Sequence, residues 1–481
     1  MRITFVNPVL GGDYSALDIA ITTLATIINK QGTHKAAILD FTFRRKYWRR
    51  LLREHLIKYK PEAVGFSVNS LYLEFIKEIS REVKRISPKT KVLYGGYHAS
   101  VHPEELFALD FCDVLVVGDA DDTICKILDS LNSPSRLSKI SGIWIKTLKK
   151  EVRNPGHFFT DLDSLPYLDW SLWKDLDKYF YFLGMLYQIG TRGCTYNCTF
   201  CESCGIKKSI PGRYFRAMSP KRLAEELAWQ WKKYQGKGLR LIQLFDQTPT
   251  MDSQWLKEFC KEYQKAADTN RQKYSMFSRV DHLDEEKMKL LSESGCEILR
   301  LGVESGNENI RNFIMNKRLS TEKVREVFRL TKKHGIRTTA YFILGTPGET
   351  KSTLRQTLDL AREIKSDRSV FFVFKPFTEE SKELVIKNNG VINLKKSKNA
   401  NNISFDAVVD YPGLSSRQVE MFQVKAYSRT LPRRIGIMLG KERLKYFLNF
   451  FRYVFHGMSL GMDFKYLVTY YHVYGFEIVH Y

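Results

Sequence analysis

At 481 residues, 43% of them apolar and 27% charged, the chain can bury more than one hydrophobic core and is too apolar to be disordered. Its net charge of +23, from 76 Lys and Arg against 53 Asp and Glu, favours an anionic partner such as nucleic acid or an acidic membrane surface, or else marks a solvated basic surface. No apolar run reaches the ~18 residues that cross a bilayer, and MRITFVNPVL at the start lacks a signal-peptide core, so the expected setting is the reducing cytoplasm, where eight cysteines are ligands or core residues more often than disulfides.

Residues 1–135 alternate strand and helix signals. RITFVNP, HKAAILDF, AVGFSVN, KVLYGGY and DVLVVGD are short apolar runs ending near Gly, Asn, Asp or Pro, separated by amphipathic stretches such as LEFIKEISREVKRI. That pattern predicts a parallel, doubly wound α/β sheet, whose ligands bind at the carboxyl ends of the strands. The loops Asn7 to Asp13, Ser67 to Ser70, Gly95 to His98 and Gly118 to Asp121 are the candidate site there. The segment FRRKYWRRLLREHLIKYK, residues 43–60, reads as a phosphate-binding helix or, more commonly for such a pattern, as an exposed crossover helix.

Residues 136–182, with the hairpin-like GIWIKTLKKEVRNPG and the turn-rich TDLDSLPYLDW, read as a connector. Over residues 183–376 a second series of strands follows: MLYQIG, LRLIQLFD, KYSMFS, EILRLGV, RTTAYFIL and SVFFVFK, each but the last followed by a helix-like segment. Six such units predict a partial (β/α)6 barrel with its chemistry at the C-terminal strand ends. Residues 377–481 read as a mostly helical extension. Within it, KERLKYFLNFFRYVFHGM sets Lys445, Arg452 and His456 against Leu444, Phe447, Phe451 and Phe455 on opposite helix faces. Such a helix docks on the barrel, lies in a membrane interface or walls an apolar pocket.

The loop after the first barrel strand is GTRGCTYNCTFCESCG, residues 190–205. Cys194, Cys198 and Cys201 stand in the spacing Cys-x-x-x-Cys-x-x-Cys. Three thiolates can ligate three irons of a [4Fe-4S] cluster and leave the fourth open. With Cys204 the same loop could instead hold a four-cysteine zinc ion. Cys112, Cys125, Cys260 and Cys296 stand singly among apolar residues and read as core. Further strand ends carry polar groups: Asp246 in LFDQT, Gly302, Glu304 and Ser305 in EILRLGVESGNE, and the Gly/Pro turn with Gly345 in YFILGTPGET. Read from the residues alone, Asp246 could cap a helix and Glu304 could form an ion pair at the barrel rim.

The cysteine spacing and these three strand ends together resemble the radical S-adenosylmethionine (SAM) family. The resemblance implies that the open iron chelates the amino and carboxylate groups of SAM and that Phe200 is the aromatic residue before the third cysteine. It also implies polar SAM contacts from Asp246 and Glu304, with Gly302 and Ser305 beside them, and the Phe342–Gly345 backbone along the adenine. A doubly wound domain ahead of such a barrel, through KPEAVGFSVNSLYLEF and KVLYGGYHASVHPEELF, is similar to the cobalamin-binding subgroup, which includes class B methyltransferases and the anaerobic cyclase of bacteriochlorophyll biosynthesis. The likeness spans about 350 positions.

That subgroup implies a Rossmann-like cobalamin-binding domain in which Ser67, Ser70, Gly95, Gly96 and Gly118 face cobalamin. No Asp-x-His-x-x-Gly occurs, so cobalt has no histidine below it, and His98 and His102 read as surface or capping residues. Gly118-Asp119-Ala120-Asp121 stands where the family has Gly-Glu-Gly-Glu. The implied activity is anaerobic: an electron from a flavodoxin- or ferredoxin-type donor cleaves SAM to a 5′-deoxyadenosyl radical, which takes hydrogen from an unactivated carbon of an apolar or lipid-like substrate before methylcobalamin supplies a methyl group. Cyclisation, oxidation or rearrangement without methyl transfer is the second reading. A nucleic-acid substrate is not expected, because the N-terminal domain lacks a cysteine trio and the C-terminus reads as helical rather than as a β-barrel. A non-catalytic corrinoid carrier would not need Asp246, Glu304 or the GTPGE turn.

Overall fold

The computed structural model describes residues 1–8, 17–148, 150–394, 396, 406–438, 451, 454–455 and 458. The chain divides into two compact units, one chiefly Met1–Tyr179 with Gly205–Arg216, the other chiefly Phe180–Cys204 with Ala217–Phe451.

The first unit is built on a seven-stranded sheet. Strands β1 (Arg2–Asn7), β2 (Lys35–Asp40), β3 (Ala63–Ser67), β4 (Lys91–Gly95) and β5 (Val114–Val116) run parallel in the order β2-β1-β3-β4-β5. Helices cover both faces, which is why the strands are continuous apolar runs and not alternating ones. Helix α1 (Ile19–Gln31) starts where the Asp18 carboxylate accepts the Ile21 N–H, and ends at Gly32 in the left-handed region. Helix α2 (Trp48–Tyr59) buries Trp48, Leu52 and Leu56 at one-turn intervals and turns its cations outward, where Arg49 and Arg50 pair with Glu78 and Glu54. It is an amphipathic crossover helix. Helix α3 (Leu73–Ile86) buries Leu73, Ile76, Ile79 and Val83.

The hairpin expected in the connector is present, but it is part of the sheet. Strand β6 (Ile143–Lys146) pairs antiparallel with β5, and β7 (Glu151–Arg153) pairs with β6. The segment after the cysteine loop also belongs to this unit: Ile206, Ile210 and Tyr214 join the core formed by Val64, Val92, Tyr94 and Leu106.

The second unit holds a six-stranded parallel sheet. Its strands β8 (Met185–Gln188), β9 (Leu241–Leu244), β10 (Tyr274–Arg279), β11 (Cys296–Glu304), β12 (Arg337–Leu344) and β13 (Arg368–Val373) lie in sequence order. That arrangement is an open half-barrel. Helices α4 (Pro220–Tyr234), α5 (Ser253–Ala266), α6 (Glu285–Glu293), α7 (Thr321–Lys333) and α8 (Lys351–Glu363) connect them. Each starts on a Ser, Asp or Thr whose side chain accepts an N–H of the first turn, namely Ser219, Asp252, Asp284, Ser320 and Thr350. The last strand is covered from farther along the chain by α9 (Ser416–Met438), where Gln423 Nε2 donates to the Phe371 carbonyl at 2.6 Å and the Tyr427 ring meets Phe371 edge-on.

Cys112, Cys125, Cys260 and Cys296 are buried, as the sequence predicts. Among the described residues no helix is long and apolar enough to cross a membrane. Of the aromatic helix at 441–458, all but Phe451, Val454, Phe455 and Met458 lie outside the described residues, as does most of the loop Asn7 to Asp13.

Candidate functional site

The cysteine loop leaves the carboxyl end of β8, and three clamps hold it. Behind it, Asp246 at the end of β9 accepts the Gly190 N–H at 3.0 Å, the Thr191 hydroxyl at 2.7 Å and the Thr191 N–H, all on Oδ1. On one side, the Tyr196 hydroxyl meets His282 Nε2 at 2.6 Å while His282 Nδ1 lies 3.2 Å from the Thr250 hydroxyl. Burial pushes His282 down to about 4, so the ring is a neutral pin. On the other side, Thr199 donates from N to the Met315 carbonyl and from Oγ1 to the Ile314 carbonyl, and Asn316 Nδ2 donates to the Asn197 carbonyl.

Cys198 is buried, and Cys194 and Cys201 are half-buried. Burial raises the Cys198 thiol and pushes Cys201 up to about 12. Burial raises any thiol in this way; the fit to a metal centre that binds thiolate rests on three cysteines carried at close spacing on one short loop. Among the described residues no three His, Cys, Asp or Glu side chains converge on one ion. Cys204, the fourth ligand of the zinc alternative, instead turns its S–H to the Cys198 and Tyr196 carbonyls at 3.3 and 3.6 Å. Phe200 is half-buried beside Cys201.

Asp246 is no helix cap. Its Oδ2 is buried with no partner among the described residues, and burial raises the carboxyl to about 6. A buried oxygen left in this state fits a ligand that brings a donor to it. Glu304 takes the ion-pair role, with Lys317 Nζ 2.8 Å from its Oε1 and both side chains 8% exposed. The pair depends on local backbone geometry. Strand β11 shifts register against β12 between Gly302 and Glu304, and Glu304 has φ 69°. Asn316 and Arg318, on either side of Lys317, are also left-handed. Non-glycine residues in this region are uncommon, and they gather where structure over-determines them. Gly302 leaves the room: a Cβ there would lie 2.3 Å from Glu304 Oε1.

Ser305 is fully buried, and its groups are spent inside the protein: Oγ lies 3.3 Å from the Thr357 hydroxyl and accepts the Asn307 N–H, while its carbonyl accepts Arg311 Nη1. Gly345, at φ 80°, turns the chain after β12, and its N–H and that of Thr346 donate to Glu349 Oε2 at 2.6 and 3.0 Å. Phe342, on the strand before it, is fully buried against Phe371.

Sequence reasoning passed over Arg279, Lys317, His282 and Glu349. Glu349 stands in the GTPGET turn but with no assigned role, and the other three stand in no spaced motif; Arg279 and His282 offered only the weak signal of polar residues at a strand end.

In the first unit the parallel order reverses between β1 and β3, so the crevice for a ligand lies outside their carboxyl ends. Ser67, Ser70, Gly95 and Gly96 are half-buried on this edge. Gly96, at φ 92°, lies where a Cβ would come within 2.9 Å of Val68 N. His98 is 3% exposed, not a surface residue. Its Nδ1 lies 2.9 Å from the Ser70 hydroxyl and its Nε2 3.3 Å from Glu105. The buried ring is held by Ser70 and lies against Glu105, so His98 presents no exposed imidazole on this edge. Gly118, at φ 90°, has a different neighbour: a Cβ would strike the His157 backbone at 2.3 Å. Asp119 accepts the Phe159 N–H and pairs with Arg216, whose guanidinium lies over Phe158. The Gly118-Asp119 turn is thus fixed by this unit's own chain.

Residues 189–361 match the family model of the radical SAM superfamily and residues 7–128 that of the B12-binding domain. Among curated relatives, an uncharacterized methyltransferase of Pyrococcus horikoshii is 26% identical over 77% of this chain and 78% of its own length. The anaerobic magnesium-protoporphyrin IX monomethyl ester cyclase of Rubrivivax gelatinosus is 24% identical over 68% of this chain, which spans 58% of the cyclase. Among solved structures, the radical SAM methyltransferase TsrM of Kitasatospora setae, with cobalamin and a [4Fe-4S] cluster bound, is 18% identical and covers 88% of this chain and 90% of its own, with a TM-score of 0.70.

Proposed function

This chain joins a B12-binding domain to a radical SAM domain, and from that premise we propose that it transfers a methyl group to an unactivated carbon of an apolar small molecule. Cys194, Cys198 and Cys201 hold the cluster; Phe200, Asp246, Gly302, Glu304 and Gly345 border SAM, with Ser305 buried behind them to shape the turn; Ser67, Ser70, Gly95 and Gly96 form the cobalamin edge, with Gly118 shaping the turn beside it. When bound, the cluster with SAM supplies a 5′-deoxyadenosyl radical and cobalamin supplies the methyl group. The chain's own residues place and shelter these groups. Asp246 fixes the root of the cysteine loop through Oδ1 and offers Oδ2 to a donor. The Glu304–Lys317 pair sets a charge of each sign at the mouth of the half-barrel.

The observation that carries the substrate class is a band of aromatic rings across the second unit. Tyr187 meets Phe245 at 5.8 Å, Phe245 meets Phe277 at 5.3 Å, Phe277 meets Tyr341 at 5.8 Å and Tyr341 stacks on Phe372 at 5.7 Å. All but Tyr187 are half-buried. Their neighbours Phe342 and Phe371, on the opposite sheet face, are fully buried. These rings, on or just after every strand of the sheet but β11, whose Arg300 lies between Phe277 and Tyr341, make a wall suited to a large planar, mostly apolar substrate. The electron donor on this reading is of flavodoxin or ferredoxin type, as a cluster toward the low end of the range requires.

The cyclase among the relatives favours a second reading, ring closure or rearrangement without methyl transfer. Incubation of the anaerobically reconstituted protein with reductant, methyl-deuterated SAM and a lipid-soluble cell extract separates them. Methyl transfer predicts a product that carries the deuterated methyl group. Release of 5′-deoxyadenosine with an unlabelled product favours the second reading, and no 5′-deoxyadenosine contradicts both.

A further inference from the structure

Arg279, at the carboxyl end of β10, is 4% exposed. Its Nε and Nη2 meet the two oxygens of Asp281 at 3.0 and 2.9 Å, and Nη2 also donates to the Lys317 carbonyl at 2.6 Å. The guanidinium lies over the Tyr196 ring, 3.7 Å from its centroid. A planar fork held at two corners and one face has little freedom left. The remaining corner, Nη1, points to Cys198 Sγ at 3.6 Å.

We propose that Arg279 is a positioning residue that sets the reduction potential of the iron-sulfur cluster through this N–H···S bond. The proposal rests on the reading of Cys198 as a cluster ligand. Reduction adds negative charge that spreads onto the sulfurs, and a donor or a cation beside a ligand sulfur stabilises the reduced form more than the oxidised one. Two features make Arg279 effective. Its charge sits beside a buried sulfur, where water screens little, whereas its counter-ion Asp281 is 27% exposed and partly screened. Its anchor on Tyr196, a residue of the cysteine loop itself, ties the donor to the loop that carries the acceptor. The cluster is thereby easier to reduce for a donor of given strength.

Arg279→Gln and Arg279→Lys test this. Each protein is reconstituted anaerobically without SAM, its iron and sulfide are counted, and the paramagnetic signal of the reduced cluster is followed against ambient potential. Arg279→Gln is expected to keep the wild-type iron and sulfide while its ratio of reduced to oxidised cluster, at the potential where wild type is half reduced, falls about tenfold, or ~59 mV for one electron. Arg279→Lys, which keeps the charge, is expected to recover part of that loss. An unchanged ratio in Arg279→Gln at full iron content overturns the proposal, and so does loss of iron from both variants, since the residue would then hold the loop and not tune it. A wild-type protein without iron and sulfide defeats the cluster reading instead.

Discussion

Glu349 is 4% exposed, with Oε1 lacking a partner among the described residues while Oε2 accepts two backbone N–H groups of the Gly345 turn. Burial pushes its carboxyl up to about 8. A group whose folded pKa is raised contributes stability that is complete below its unfolded value, near 4.5, and is lost as pH rises toward the folded one. Glu349→Gln keeps an acceptor for both N–H groups and removes the titration. The melting temperature of Glu349→Gln, relative to wild type, is therefore expected to rise steadily between pH 5 and about 8. Glu349→Ala leaves two buried donors unpaired and is expected to cost about 2 kcal/mol at pH 5, a cost that shrinks as pH rises because this variant also lacks the titration. A Glu349→Gln difference that does not change with pH would contradict this account of the turn. The motif GTPGET displays the turn in the sequence, but the burial of its carboxylate comes from packing and cannot be read there. His98 shows the same limit: it reads as a surface or capping residue, yet it is buried beside Ser70 and Glu105.

At the scale of elements, β11 carries the site because it is irregular. Its shift against β12 at Gly302 and the left-handed Glu304 turn the carboxylate toward Lys317. Gly302→Ala pushes a methyl group into that pair and is expected to destabilise the barrel by about 1–3 kcal/mol and to weaken SAM binding, as denaturant unfolding and equilibrium dialysis would measure. Native stability and native SAM affinity in this variant would show that the pair does not need the glycine. The regular elements were legible because parallel strands covered on both faces must be apolar throughout and the helices between them start on capping residues. The hairpin of β6 and β7 was legible as a hairpin but not as a sheet edge, since no pattern within it names β5 as its partner. The segment 205–216 was not legible as part of the first unit. Of Ile206, Ile210 and Tyr214 only Ile206 lies on the helix Glu202–Ser209, the other two following it around Pro211, and no periodic pattern says which core receives them.

For the whole molecule, chemistry and contacts were unequally legible. The three cysteines, Asp246, Glu304 and the Gly345 turn are local words in the sequence because each strand end places one of them. The residues that hold those words in place, Arg279, Lys317, His282 and Arg311, come from other strands and loops, and only folding brings them together. The central claim is that Cys194, Cys198 and Cys201 bind a [4Fe-4S] cluster and leave one iron for SAM. The most direct measurement is the iron, sulfide and zinc content of anaerobically purified protein, in wild type, in Cys204→Ala and in the triple variant Cys194→Ala, Cys198→Ala, Cys201→Ala. The account predicts equal iron and sulfide, without zinc, in the first two and neither iron nor sulfide in the third. Zinc in the wild type, loss of the metal in Cys204→Ala, or an intact cluster in the triple variant would contradict it.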